Sequence, residues 1–395
     1  CAEHTESRRL ARYWEKQMTV CRPFVEPALE PRIRSLCDEI LLGGVDVLAT
    51  SEDPSRLLAT DSGRARFTQA CHRGFASGQH KILDRLLLIQ SSGAPSNEEM
   101  LYRKCADSIA WLMIQNQLYV ARQLYRERSF PTLRESNFDS VVRAAHRLTG
   151  EPYDRFALMA DLTSFVQVCD LLVIDPVSGL SMVEVKAGSK NHELLDTLTA
   201  LARTQCPRAD YLLAKAAGEH DFKQLRRIAR QMARLSEVTE LLKTGRGRNQ
   251  DWGEEVRIRD EPVELDTYDD QLAGVLAKSK DRGWAIDVVD ESLYIGAYRD
   301  KMQDAARSVF RAWLGSCAGH DTVVIQNLIG CMRHPVGLPV FLREIARDDI
   351  FDLLFGRATV FLGLHLGEFG RLAAGLGLPA RPSTRREMAR LRSAG

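Results

Sequence analysis

The sequence predicts an α/β protein in which a helical N-terminal region precedes a helix–three strands–helix–strand run and a mixed α/β C-terminal region. Three observations carry this reading. Apolar residues recur at helical spacing through the first 130 residues, two strongly apolar strand-like runs meet at a Pro/Gly turn over 165–185, and the charge balance swings sharply near residue 250. The chain has 395 residues, enough for two to three domains at roughly 150 residues each. Its 45% hydrophobic and 27% charged residues are ordinary globular values. Boundaries are drawn as 1–134, 135–250 and 251–395.

In the first region a helix is expected over Leu101, Cys105, Ile109, Leu112, Asn116 and Val120, with Ser96 and Glu99 at capping-box spacing before it. A shorter helix covers 80–90, and 91–97 is a loop. No catalytic constellation stands out here, so the region is assigned to packing and to contacts with a protein partner or a second copy. After Pro131, Ser136 or Asn137 caps a helix through Phe138, Val141, Val142, Ala145 and Leu148 that stops at Gly150. Strands follow at 156–162, 165–174 and 180–185, with Asp175–Gly179 as the turn: Pro176 sets φ and Gly179 permits a positive one. Asp175 is read as a turn residue, and His146 and His192 as structural. A helix over 191–204 and a short strand over 211–214 complete the run. Leu225, Ile228, Met232, Leu235, Val238 and Leu242 make one face of a helix over 221–242. Beyond 250, strands are expected at 284–289 and 292–298, with a helix over 301–314.

Composition excludes several classes. The net charge is +1, so any nucleic-acid surface must be local. No apolar run reaches the roughly 18 residues of a membrane span; even 353–378 is broken by Arg357, His365, Glu368 and Arg371. The polar opening CAEHTESRRLARYWEK does not read as a signal peptide. Nine scattered cysteines without framework spacing suggest reduced thiols in a cytoplasm. Cys317 with His320 and Cys331 with His334 form two C-x2-H pairs, the one cluster with zinc-ligand chemistry. The apolar run between them reads as a strand or helix, so zinc is not expected.

The chemistry concentrates in the apolar hairpin. Asp170 lies in one strand, and Glu184 and Lys186, two apart and hence on one face, lie in the next. Three charges among Val168, Leu171, Val173, Val183 and Val185 are costly unless they share a cation or face a cleft. Two carboxylates with the main-chain carbonyl of Val185 suit Mg²⁺ or Mn²⁺. The competing reading is a solvent-edge hairpin with a Glu184–Lys186 surface ion pair.

The segment CDLLVIDPVSGLSMVEVKAG resembles the signature of the PD-(D/E)xK nuclease superfamily: an apolar strand with Asp, a turn, and an apolar strand ending in E-x-K. The resemblance spans about 80 to 110 residues. It implies a restriction-endonuclease-like αβββαβ core, with Asp170 and Glu184 binding the metal and Lys186 assisting the nucleophile. Cys169 stands where the family's name would have Pro. The resemblance also suggests an acidic residue on the first core helix, for which Asp139 and Glu135 are candidates, and a polar residue after E-x-K, for which Lys190 and Gln205 are candidates.

On the helix over 221–242, Lys223, Arg226, Arg227, Arg230 and Arg234 recur at three- and four-residue spacing, and Arg246 and Arg248 follow in a glycine-containing loop. Together with Lys190 they form the expected nucleic-acid surface; the competing reading is a solvated helix face. The functional expectation is a Mg²⁺-dependent nuclease, on DNA rather than RNA, of the kind used in restriction or phage defence. The alternative is a non-catalytic nucleic-acid-binding or scaffold subunit that keeps a nuclease-like fold.

Overall fold

The structure is a computed structural model. It describes residues 23–92, 97–126, 132–133, 138–186, 193, 196, 219–248, 255–257, 267–318 and 323–377. Contacts divide the chain into two compact units, one of residues 34–265 and one of residues 1–33 with 266–395. The protein is mixed α/β with antiparallel sheets.

The unit 34–265 holds helices α1 (Glu30–Ala49, from Arg34 on), α2 (Pro54–Ala59), α3 (Asp61–Ser91), α4 (Asn97–Met113), α5 (Leu118–Leu124) and α6 (Phe138–Thr149). The expected helix 101–120 is two helices. Gln115 and Asn116 adopt positive φ (54° and 56°), a left-handed break that follows α4, and Leu112 and Asn116 are exposed. The expected 80–90 helix is the last part of the longer α3. Where α1 crosses α3 the backbones come close: a Cβ at Gly74 would lie 2.6 Å from the carbonyl oxygen of Ile40, so no larger residue fits.

After α6 come β1 (Phe156–Met159), β2 (Leu171–Asp175) and β3 (Gly179–Val183), an antiparallel sheet in the order β1-β2-β3. The register pairs Met159 with Leu171 and Leu171 with Val183. Every residue of β1 is buried, as are Leu171, Leu172 and Val173, and α6 packs beneath through Phe138, Val141 and Ala145. The open edge of β1 is closed by side chains. The Gln79 amide donates to the Ala157 carbonyl (3.2 Å) and accepts from the Met159 N–H (2.8 Å), while Thr149 Oγ1 accepts from the Ala157 N–H (3.0 Å). The turn forms as expected, with Gly179 at φ +70° and Asp175 accepting from the Val177 and Ser178 N–H groups. These bonds and Arg155 hold the Asp175 carboxyl down at about 2.

The first strand of the hairpin is shorter than expected. Residues 165–169 do not join the ladder, because Thr163 and Ser164 claim the backbone: Thr163 Oγ1 accepts from the Val166 N–H (3.0 Å), Asp107 accepts from the Ser164 N–H (2.7 Å), and the Gln167 N–H donates to the Leu124 carbonyl (2.8 Å). Helix α7 (Glu219–Thr244) follows, and then β4 (Arg246–Arg248) with β5 (Glu255–Arg257) as a two-stranded antiparallel ribbon, not the expected loop. Met232 is half-exposed rather than part of the buried face of α7, which runs through Leu225, Ile228, Val238 and Leu241. Glu193 and Asp196 are helical; the rest of the expected second core helix and the strand at 211–214 lie outside the described residues.

The other unit has α8 (Asp269–Arg282), β6 (Trp284–Val289), β7 (Leu293–Arg299), α9 (Ala306–Ala318), β8 (Val323–Asn327), α10 (Arg347–Leu354), β9 (Ala358–His365) and α11 (Leu366–Gly375). Its antiparallel sheet runs β6-β7-β9-β8. One face packs Tyr294, Tyr298 and Phe361 against Ala306, Phe310 and Leu314 of α9. Arg299, almost wholly buried, bonds Asp349 (2.6 Å) and Asp352 (2.5 Å) of α10. Both strands expected at 284–298 are present, and the expected helix 301–314 begins as a 3-10 turn over Asp300–Ala305.

Candidate active site

The strand pairing brings acidic residues together at one end of the β1-β2-β3 sheet. Asp170 immediately precedes β2, not mid-strand as expected, and is held from both sides. Its N–H donates to the Val183 carbonyl (3.0 Å), and its carbonyl accepts from the Ala160 N–H (3.0 Å). Glu184 follows Val183, so continuing the register places it opposite Asp170. Asp161 follows Ala160, in a 3-10 turn at the end of β1. Asp161, Asp170 and Glu184 all line one cavity of about 180 Å³, together with Arg126, Gln167, Gln231 and Arg234.

Electrostatics reflect this crowding. Burial and then the charge of Glu184 push the Asp170 carboxyl up to about 6, although the Val185 N–H bonded to Oδ2 (2.6 Å) pulls the other way. Burial also raises Asp161, with Arg103 opposing and Glu184 reinforcing the shift. Lys186 is at the border of the cavity. Its Nζ donates to Glu184 Oε1 (2.7 Å) and to Gln231 Oε1 on α7 (3.0 Å), and its side chain is 15% exposed.

The Asp161 turn is fixed from the N-terminal helices. Arg103 on α4 is fully buried and donates from Nη1 to the carbonyls of Asp161 (2.6 Å) and Thr163 (3.2 Å), while Nε and Nη2 bond Glu99 (3.0 and 2.9 Å). Beside it, buried Lys104 bonds Asp107 (2.8 Å) and Ser164 Oγ (3.0 Å). The helices assigned from sequence to packing and partner contacts therefore also shape the wall of the site.

The structure thus brings Asp170, Glu184 and Lys186 together. Val185 meets Asp170 through its N–H, and it does not line the cavity, so its carbonyl is not placed as a ligand. Asp139 is exposed on α6 and does not line the cavity. Glu135, Lys190, His192 and Gln205 lie outside the described residues. His146 is exposed, with its ring 6.3 Å from that of His80. Lys223, Arg226, Arg227 and Arg230 are exposed on α7, whereas Arg234 reaches the cavity. Arg246 is exposed on β4, and the side chain of Arg248 is outside what is described. Cys317 is exposed at the end of α9, Cys331 is half-buried in a 3-10 turn that His334 ends, and His320 lies outside the described residues.

Sequence reasoning missed Asp161, Arg126, Gln231 and, as a cavity residue, Arg234. Gln231 and Arg234 carried a signal, being one helical turn apart on a basic helix. Asp161 carried none, since it is one residue out of phase with the face that Asp170 and Glu184 share.

The donor set suits a hard divalent cation at the level of chemistry: three carboxylates of one cavity, one of them raised to about 6 by burial and then by Glu184. It is not an assembled coordination shell. One oxygen of Asp170 and one of Glu184 are bonded to Val185 and Lys186, and no group of three His, Cys, Asp or Glu side chains is arranged as a metal cluster among the described residues. Comparison with protein-family models, curated proteins and solved structures found no match to this chain.

Proposed function

We propose that this protein is a metal-dependent nuclease that hydrolyses phosphodiester bonds of DNA at the Asp161–Asp170–Glu184 cavity. The observation that carries the reading is the convergence, on one cavity, of three carboxylates with two arginines, and of a lysine bonded to one of those carboxylates. Asp161, Asp170 and Glu184 would hold Mg²⁺ or Mn²⁺. When bound, the ion supplies Lewis-acid polarisation of the phosphodiester and acidification of a water.

The chain's own groups do the rest. Arg126 and Arg234 offer planar, permanently charged donors to the non-bridging phosphate oxygens. Asp170, whose carboxyl is raised to about 6 by burial and by Glu184, is the carboxylate whose ionised form gains most from a cation beside it. Lys186 places a positive charge beside the cavity, where charge develops as the phosphorus gains a fifth oxygen. Gln231 holds the Lys186 ammonium in place.

A second reading, a nucleic-acid-binding subunit without turnover, draws on one observation: Glu184 and Asp170 already have internal partners in Lys186 and the Val185 N–H. Incubation with plasmid, linear and single-stranded DNA and with RNA, in Mg²⁺, Mn²⁺ or EDTA, separates the two. The nuclease reading expects DNA cleavage that needs the metal and disappears in Asp170→Asn. DNA binding without cleavage in either metal would favour the subunit.

A further inference from the structure

The cavity is small. Sites that enclose a whole small-molecule ligand run to about 300–1,000 Å³, against about 180 Å³ here. It is large enough for one linkage of a chain, but not for a complete nucleotide with its base. Anything longer must lie outside, along the surface that leads into it.

Helix α7 supplies such a surface. At roughly 100° per residue, Lys223, Arg227, Arg230 and Arg234 fall within a stripe about 60° wide, and Lys223 to Arg234 spans about 16 Å. The environment changes along that line. Lys223, Arg227 and Arg230 are exposed, Arg234 is half-buried and lines the cavity, and Leu241, next on the same line, is buried with Val238 beside it. The stripe therefore begins in solvent, reaches the carboxylates at Arg234 and ends in the core. Gln231, on the same turn as Arg234, ties this part of the helix to Lys186 (3.0 Å).

We propose that this line is a track for the sugar–phosphate backbone of a single DNA strand. Arg227 and Arg230 hold successive phosphates outside, and Arg234 takes the phosphate that enters the cavity. This deepens the nuclease reading and rests on it for what happens to that phosphate. The contacts are to backbone charge, so recognition along the track is independent of sequence.

The test is the salt dependence of binding to a fluorescent single-stranded phosphorothioate DNA, whose linkages keep their charge and resist hydrolysis, measured in Mg²⁺ by anisotropy. Each lost phosphate contact on a single strand lowers the log–log salt slope by about 0.7. Arg227→Gln, Arg230→Gln and Arg234→Gln should each lower it by about that amount, with Arg234→Lys recovering most of the loss. Lys243→Gln removes the same charge from the far side of α7 and should leave the slope unchanged. Equal losses in Lys243→Gln and Arg227→Gln, or an unchanged slope in Arg234→Gln, would overturn the track. If the slopes behave as expected and the unmodified protein cleaves no DNA in Mg²⁺ or Mn²⁺, the track stands and the hydrolytic reading fails.

Discussion

Two clusters of charge inside the unit 34–265 make an instructive pair. In the first, Arg103 and Lys104 on α4 face Glu99, Asp107 and Ser164. Arg103, Lys104, Asp107 and Ser164 are fully buried, and the donors of both cations have carboxylate, hydroxyl or carbonyl partners. In the second, Asp161, Asp170 and Glu184 share a cavity, and the Asp170 carboxyl is pushed up to about 6 even with Lys186 nearby. Both clusters cost desolvation. The first is compensated internally and fixes a turn; the second lines a cavity and keeps one carboxyl raised to about 6. Burial of charge alone does not mark a functional site, since Arg299 with Asp349 and Asp352 shows the same compensated pattern in the other unit. What sets the second cluster apart is that it lines a cavity and holds a carboxyl raised to about 6.

Breaking the compensated cluster should have the largest effect. Asp107→Ala takes the carboxylate from the buried Lys104 ammonium and removes the acceptor of the Ser164 N–H, and should cost about 3–5 kcal/mol in a urea titration. A loss under about 1 kcal/mol would show that the first cluster does not hold the fold as argued.

The second cluster should respond with the opposite sign. The Asp170 carboxyl sits higher in the folded chain, about 6, than its ordinary value of 3.8, so folding favours the protonated form. Its ionisation therefore removes stability as pH rises from about 4 through about 6. Asp170→Asn escapes that loss. Its advantage should be absent below about pH 4 and reach on the order of 2–3 kcal/mol above about pH 6, while DNA cleavage is lost. Melting curves at several pH values check this, and an Asn variant less stable than the wild type at pH 8 would contradict it.

The same contrast explains how much was legible in the sequence. The hairpin was readable because Pro176 and Gly179 mark its turn and apolar runs flank it, and Asp170, Glu184 and Lys186 stood out as charges in that setting. The strand start was misplaced because Ser164 is secured by Asp107, a side chain 57 residues earlier that no local pattern reveals. Asp161 was hidden for a related reason: a 3-10 turn, anchored by Arg103 from another helix, carries it to the cavity out of phase with the strand alternation. The role of Arg234 became visible only when the stripe on α7 could be followed to where it enters the cavity.

Asp161, Asp170 and Glu184 are proposed to take one divalent cation. Calorimetric titration of Mn²⁺ into the wild type, Asp170→Asn and Lys186→Met tests it most directly. The account predicts a single saturable site in the wild type, its loss in Asp170→Asn, and equal or tighter binding in Lys186→Met, where the Glu184 oxygen is released and a nearby positive charge removed. No Mn²⁺ binding by the wild type, or binding that Asp170→Asn leaves unchanged, would contradict it.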